Sequence, residues 1–249
     1  MPWRQTTDPY KIFISEVMLQ QTQVDRVIPK FESFIQKFPT IQHLASAEFK
    51  DVLLQWSGLG YNRRALWLHQ AAKEVTEKYS GIIPDSIEKL TQLKGVGHNT
   101  AAAICAYAFN RPVNYIETNI RAVFIHHFFQ DRDDVHDKEL LPLVEEYVDK
   151  IHPREWYWAL MDYGVYLKKL HKNPARMSKH HIKQSTFEGS NRQLRGRILK
   201  LLLEEGAVSL GMVAERFPTK EAKVEDVFED LVNEGLVVRD AHSAQYSLS

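Results

Sequence analysis

The sequence predicts a mainly α-helical protein that ends in a small module of helices and strands. Apolar residues recur at helical spacing through the first two thirds of the chain, with few alternating or β-branched runs. Proline and glycine break this pattern at short connections. Residues 193–248 then read as three helices followed by two short strands.

The bulk composition bounds the function classes. At 249 residues, 44% hydrophobic and 26% charged, the chain has room for one large domain or two smaller ones of ordinary globular composition. No apolar run is long enough to span a membrane and no signal peptide is recognisable, so a cytoplasmic location away from membranes is expected. Cys105 is the one cysteine, which excludes an intramolecular disulfide and a multi-cysteine metal or iron–sulfur site. It lies in an alanine-rich helix and is expected to be a small core residue. The 32 basic and 32 acidic side chains cancel formally, but they are distributed unevenly.

The chain opens with Met1-Pro2-Trp3-Arg4 and polar residues to Pro9. A helix is expected over residues 10–24. There Glu16 shares a stripe with Ile12, Phe13, Leu19 and Gln20, where partial desolvation would raise its pKa; the plainer alternative is a helix-surface glutamate. Further helices are expected over residues 28–38, 41–47 and 49–56. Gly58-Leu59-Gly60-Tyr61 breaks the pattern, and residues 62–79 resume it with Leu66, Leu68, Ala72 and Val75 on the inner face.

Pro84 precedes a helix over residues 86–93, and a second follows over 101–108. Between them, Leu93-Lys94-Gly95-Val96-Gly97-His98-Asn99-Thr100 is a very short connection with two glycines. Glycine permits positive φ and close backbone approach. The unpaired N–H groups opening the second helix, together with its dipole, suit a phosphate. An ordinary tight turn between two helices has the same signature.

Residues 113–116 form an extended entry to a helix beginning near Glu117 and Asn119. A carboxylate there is favoured by the helix dipole even with no catalytic role. Helices over 137–151 and 156–170 follow. From Lys168 to Lys200, ten Lys and Arg residues stand against Glu188 alone, a formal charge of about +9, which is a footprint for a polyanion. His171, His180 and His181 lie in this stretch with no second ligand cluster to make a metal site.

Gly189-Ser190-Asn191 marks a linker, giving expected domains at 1–188 and 189–249, with residues 168–188 as a basic segment of the first. The tail reads as helices over 193–205, 209–217 and 220–234, then strands over 236–239 and 245–248, a winged-helix pattern. Its third helix carries Glu221, Glu225, Asp226, Glu229, Asp230 and Glu234 against Lys220 and Lys223. Such a helix is repelled by phosphates, so the wing or the basic first helix would touch DNA instead, or the module would pack on the main domain or bind a protein partner.

Pro2-Trp3-Arg4, Pro9-Tyr10, Ser15-Glu16-Val17-Met18-Leu19-Gln20-Gln21-Thr22-Gln23-Val24, Gly58-Leu59-Gly60-Tyr61, the hairpin, Glu117-Thr118-Asn119-Ile120-Arg121 and Met161-Asp162-Tyr163-Gly164 together resemble the helix-hairpin-helix DNA glycosylase superfamily. Within it the chain looks most like MutY-type adenine DNA glycosylases, over roughly residues 1–165. The resemblance implies a repair enzyme that flips a mispaired or damaged base, adenine or another modified base, from double-stranded DNA and hydrolyses its N-glycosidic bond. A poor base leaving group calls for an acid, and an oxocarbenium-like sugar calls for an anion.

By resemblance Glu16 is the general acid, which then helps activate water. Glu117 faces the sugar cation and Asn119 supports the site. Trp3, Arg4, Gln20, Gln21, Tyr61 and Asn99 surround the base and its partner strand. Gly95, Val96, Gly97, His98 and Thr100 clamp phosphate with Lys168, Lys169 and Lys172. A sodium or potassium ion is expected on the backbone carbonyls of Leu93 and Val96, and no other cofactor.

The chain departs from the family in ways that bear on activity. Glu117 stands where the family has aspartate. Asn99 stands where bifunctional relatives carry a nucleophilic lysine, so monofunctional hydrolysis is expected. The family's iron–sulfur cysteines are absent, and a winged helix stands in place of the domain that senses 8-oxoguanine. Two alternatives follow: an enzyme that cuts abasic DNA on the same fold, and a non-catalytic damage-binding protein that recruits a partner through the acidic helix. A nucleoid-associated monomer is expected.

Overall fold

The structure is a computed structural model, and it describes every residue except 172, 182–185, 218–220 and 241, with the side chains of 221 and 222 also outside the description. Lys172, Lys183 and Lys220, with the side chain of Glu221, therefore lie outside the described residues. In chain order the helices are α1 (Pro9–Leu19), α2 (Val24–Lys37), α3 (Ile41–Ser46), α4 (Phe49–Trp56), α5 (Arg63–Lys78), α6 (Ile87–Leu90), α7 (His98–Phe109), α8 (Thr118–Phe128), α9 (Asp137–Tyr147), α10 (Pro153–Leu170) and α11 (Asn191–Glu205). A strand β1 (Ala207–Val208), helices α12 (Leu210–Arg216) and α13 (Glu221–Asn233), and strands β2 (Val237–Arg239) and β3 (Tyr246–Leu248) complete the chain. Short 3-10 turns lie at Pro2–Gln5 and Pro174–Met177. No helix among the described residues is long and apolar enough to cross a membrane.

The chain divides into two compact units, Met1–Val17 with Ile83–Gln184, and Met18–Ile82 with Ser185–Ser249. In the first, α7 is buried along almost its whole length, from Ala101 to Ala108. Helix α8 lies between α10 and the 3-10 turn at 174, and a parallel bridge joins Val135 to Ser178. Gly164 permits the close approach of α10 to α8. A Cβ there would fall 2.5 Å from the Asn119 carbonyl oxygen and 2.7 Å from its Cβ.

In the second unit α5 packs on α3 and α4. Phe34 of α2 meets Trp56 edge-on at 6.4 Å. The C-terminal part of this unit forms its own core from Val224, Val227, Phe228, Leu231, Leu236 and Tyr246. Its sheet is antiparallel with order β1-β3-β2.

Several boundaries differ from those expected. The helix expected over 10–24 ends at Leu19, because Gln21 takes a left-handed φ of 54° that no α-helix accepts. Helix α2 then begins at Val24 rather than residue 28 and carries Pro29 inside. Helix α6 is one turn only, capped by the Ser86 hydroxyl, and α7 begins at His98, three residues before its expected start. Strand β1 was not anticipated; at two residues it is too short to leave a periodic signal.

Candidate active site

Helix α1 is buried nearly all round: Ile12, Phe13, Ile14, Ser15, Val17 and Met18 are all buried, and Glu16 stands half-buried among them. Burial raises its carboxyl to about 8; the nearby Glu117 charge adds to the rise and Arg4 opposes it. Glu16 is therefore held toward its protonated form near neutral pH.

Glu117 is the N-cap of α8. Its Oε1 accepts the backbone N–H groups of Asn119 and Ile120, the latter at 2.9 Å. The Asn119 amide donates to Oε2 at 3.3 Å. The capping role expected for this residue is therefore present, and its charge is felt at Glu16. Burial pushes its pKa up as well, while the two backbone donors, then Lys168 and Arg121, act to keep it ionised. Three N–H donors leave Glu117 better prepared than Glu16 to carry charge.

Asn119 is the junction of the site. Its Oδ1 accepts from the Lys168 ammonium at 2.7 Å, so Lys168 fixes the amide with its NH2 toward Glu117. Lys168 is half-buried and burial lowers its pKa; Lys169 beside it is exposed. Arg121 is held by a bidentate pair with Asp137 at 2.7 and 2.8 Å.

Arg4 makes a bidentate pair with Asp162 of α10 at 2.7 and 2.9 Å and lies 5.7 Å from the Trp158 ring centroid. Trp3 is buried. The Asn99 amide donates to the Ile116 carbonyl at 2.7 Å, tying the start of α7 to the segment that delivers Glu117. In the hairpin, Gly95 has a φ of 75°, Leu93 and Val96 are buried, and Gly97 and His98 are exposed. Gly97 is the N-cap of α7 with no side-chain cap, and Thr100 lies half-buried in the first turn. The Leu93 carbonyl accepts the Val96 N–H at 3.2 Å.

Gln20, Gln21 and Tyr61 belong to the second unit. Gln20 and Gln21 form the turn after α1, and Tyr61 follows Gly60 with a left-handed φ of 47°. Arg64, which was not singled out from the sequence, ties these two segments together. Its guanidinium donates to the Met18 carbonyl at 2.9 Å, the Thr22 hydroxyl at 2.9 Å and the Gly60 carbonyl at 3.2 Å. The signal was available: Arg64 falls four residues before Leu68 and eight before Ala72, on the inner face of α5.

A second omission is the buried pair Tyr107 and Tyr115, whose hydroxyls meet at 3.0 Å. Burial holds both well above the ordinary tyrosine range, and the Glu16 charge contributes to each. Tyr115 packs at a tilt against Tyr157, their ring centroids 4.5 Å apart. No periodic signal distinguishes these tyrosines from ordinary core aromatics.

A thiolate-held iron–sulfur cluster does not fit these residues. Cys105 is the one cysteine; it is buried in α7, with its thiol pushed up to about 11. No group of three or more His, Cys, Asp or Glu side chains among the described residues is arranged to hold a metal ion.

Comparison with known proteins gives a consistent result. The HhH-GPD superfamily base excision DNA repair protein model matches residues 14–149. The chain is 37% identical over 175 residues to the adenine DNA glycosylase of Buchnera aphidicola subsp. Baizongia pistaciae, covering 70% of this chain and 50% of the relative. It is 35% identical over 177 residues to the human adenine DNA glycosylase, covering 66% and 32%. The chain thus spans half or less of the length of these curated relatives. Among solved structures, a thermostable thymine-DNA glycosylase superposes with a TM-score of 0.58 at 26% identity, covering 66% of this chain and 77% of the other. The family match includes Glu16, the hairpin and the Glu117–Asn119 segment, and the chain belongs to the HhH-GPD superfamily of base excision DNA repair proteins.

Proposed function

We propose that the protein is a monofunctional DNA glycosylase that flips a mispaired or damaged base out of duplex DNA and hydrolyses its N-glycosidic bond. The observation that carries this is the pair Glu16 and Glu117, two half-buried carboxyls in different hydrogen-bonding surroundings. Glu16, protonated, donates to the departing base. Glu117, held by two backbone N–H groups and Asn119, is the carboxyl better placed to carry the charge that stabilises the positive sugar. Water attacks the sugar carbon as the base leaves with the proton, and Glu16, now ionised, assists its deprotonation. Asn99 at the start of α7 offers no amine for a Schiff base, which supports hydrolysis without strand cutting.

Adenine is the leading candidate base, on the likeness to relatives that are named adenine DNA glycosylases; the thymine-DNA glycosylase at TM-score 0.58 keeps a thymine mispair in the test. The exposed hairpin N-terminus at Gly97 and His98 is the proposed phosphate clamp, with the Leu93 and Val96 carbonyls as its monovalent-cation ligands. The C-terminal helices and sheet are read as a winged-helix module. Labelled duplexes test the proposal: adenine opposite 8-oxoguanine or guanine, mispaired uracil, thymine and hypoxanthine, 8-oxoguanine itself, and an abasic site, each with and without alkali. Alkali-dependent cleavage that Glu16→Gln abolishes, with duplex binding retained, is expected. Alkali-independent cleavage of the abasic duplex alone would instead make this a backbone-cutting enzyme.

A further inference from the structure

We propose that the C-terminal module contacts DNA through Arg192, which with Tyr61 forms one edge that binds the backbone and a base of the damaged duplex. Both residues lie in the same compact unit. Arg192 stands in the first turn of α11, and its guanidinium donates to the Tyr61 hydroxyl at 3.3 Å. Tyr61 is 40% exposed and its backbone is in the left-handed region, an uncommon state for an aromatic residue. Arg64 fixes that state from behind through the Gly60 carbonyl, with its own guanidinium 5.6 Å from the Tyr61 ring centroid.

Other cations lie near the turn over residues 58–61. Arg63 is exposed, two residues from Tyr61, with its guanidinium 4.6 Å from the Trp67 ring centroid. The Lys30 side chain approaches Gly58, its Cε lying 3.8 Å from where a Cβ would stand. An exposed ring with a guanidinium at its hydroxyl is an arrangement that can stack on a base while the cation holds the backbone.

Position singles out Arg192. Along α11, Arg195 pairs with Glu234 and Asp230, Lys200 pairs with Glu204, and Arg197 lies 5.7 Å from the Phe217 ring centroid, whereas Arg192 meets the Tyr61 hydroxyl. Helix α13 exposes Glu225, Asp226, Glu229 and Asp230. The basic start of α11, not the third helix, is therefore the part of the module that phosphate attracts. A guanidinium already resting on the tyrosine reaches a phosphate beside the stacked base with little reordering.

This inference rests on the proposal that the protein acts on DNA, and the experiment separates the two. Full-length wild type, Arg192→Ala, Arg192→Lys, Tyr61→Phe and the double variant Arg192→Ala/Tyr61→Phe are titrated over a range of KCl. The ligands are a plain duplex and one with an abasic-site analogue, and melting temperatures are recorded alongside. Arg192→Ala is expected to weaken binding of the abasic duplex about tenfold and to lower the salt slope by about one. Arg192→Lys should keep most of both, and the double variant should be no weaker than the worse single. Unchanged affinity and slope in Arg192→Ala would overturn the inference, as would a lower melting temperature with an unchanged slope, which reduces the contact to packing. Absence of base release by wild type would remove the glycosylase proposal alone, because the slope on plain duplex still judges Arg192.

Discussion

A glutamate buried beside a second glutamate resists ionising, and the two carboxyls here resolve that conflict unequally. Glu16 is raised to about 8, first by burial and then by the Glu117 charge, whereas Glu117 has backbone donors at the start of α8. If Glu16 is the acid, single-turnover base release should be flat below pH about 7 and fall tenfold per unit above about 8, as the protonated form is lost. A rate that rises through this range would give Glu16 the role of a base. The same group is linked to stability. Below the unfolded glutamate value of about 4.3 both states are protonated. Between there and about 8 the unfolded chain releases a proton that the folded protein keeps, so stability falls as pH rises and levels off above that. Glu16→Gln should therefore melt higher than wild type at pH 9, by on the order of 2 °C or more, and nearly together with it at pH 4. Equal melting curves at both pH values would show that the carboxyl is not desolvated.

Among the elements, the approach of α10 to α8 decides whether Asn119 and Glu117 hold their places. Gly164 leaves no room for a methyl group, since the obstacle is the Asn119 backbone and not a flexible side-chain end. Gly164→Ala should cost about 1–3 kcal/mol of stability and lower the rate of base release more than it weakens duplex binding, because Asn119 and Lys168 separate. Thermal melts and single-turnover rates measure both effects; an unaltered rate in a folded variant would uncouple α10 from the chemistry. The motif containing Gly164 was legible in the sequence, but the contact was not, because a glycine in a helix does not say which neighbour it meets. Glu117 and Asn119 were legible because a capping carboxylate and a following amide occupy the head of a recognisable helix. Lys168 was visible only as one charge in a basic run; that its ammonium turns to Asn119 depends on the rotation of α10. The C-terminal helices were legible from Val224, Val227, Phe228 and Leu231, whose helical spacing makes one buried face. The turn at Gln21 was not, because glutamine gives no sign of positive φ.

Along the whole chain a formal charge of zero conceals an uneven distribution of sign. Basic residues gather from Lys168 to Lys200, while exposed acids gather on α13. Long-range attraction to a polyanion is then weak, and charges beyond a Debye length of about 8 Å at physiological salt are screened. Only cations at the bound surface contribute strongly. If α11 faces DNA through Arg192 and α13 does not, neutralising Glu225 and Glu229 as glutamines should change duplex affinity by no more than about twofold at physiological ionic strength. Both side chains are exposed, so the substitutions should leave the core around Val224, Val227 and Phe228 intact. Equilibrium titrations at two salt concentrations, beside Arg192→Ala, make the comparison. A tenfold gain in affinity on neutralising α13, larger at low salt, would place the acidic helix at the phosphates and reverse the orientation of the module. Little change there with a clear loss in Arg192→Ala would leave α13 directed away from the duplex, its acids limiting non-specific binding while the start of α11 makes the contact.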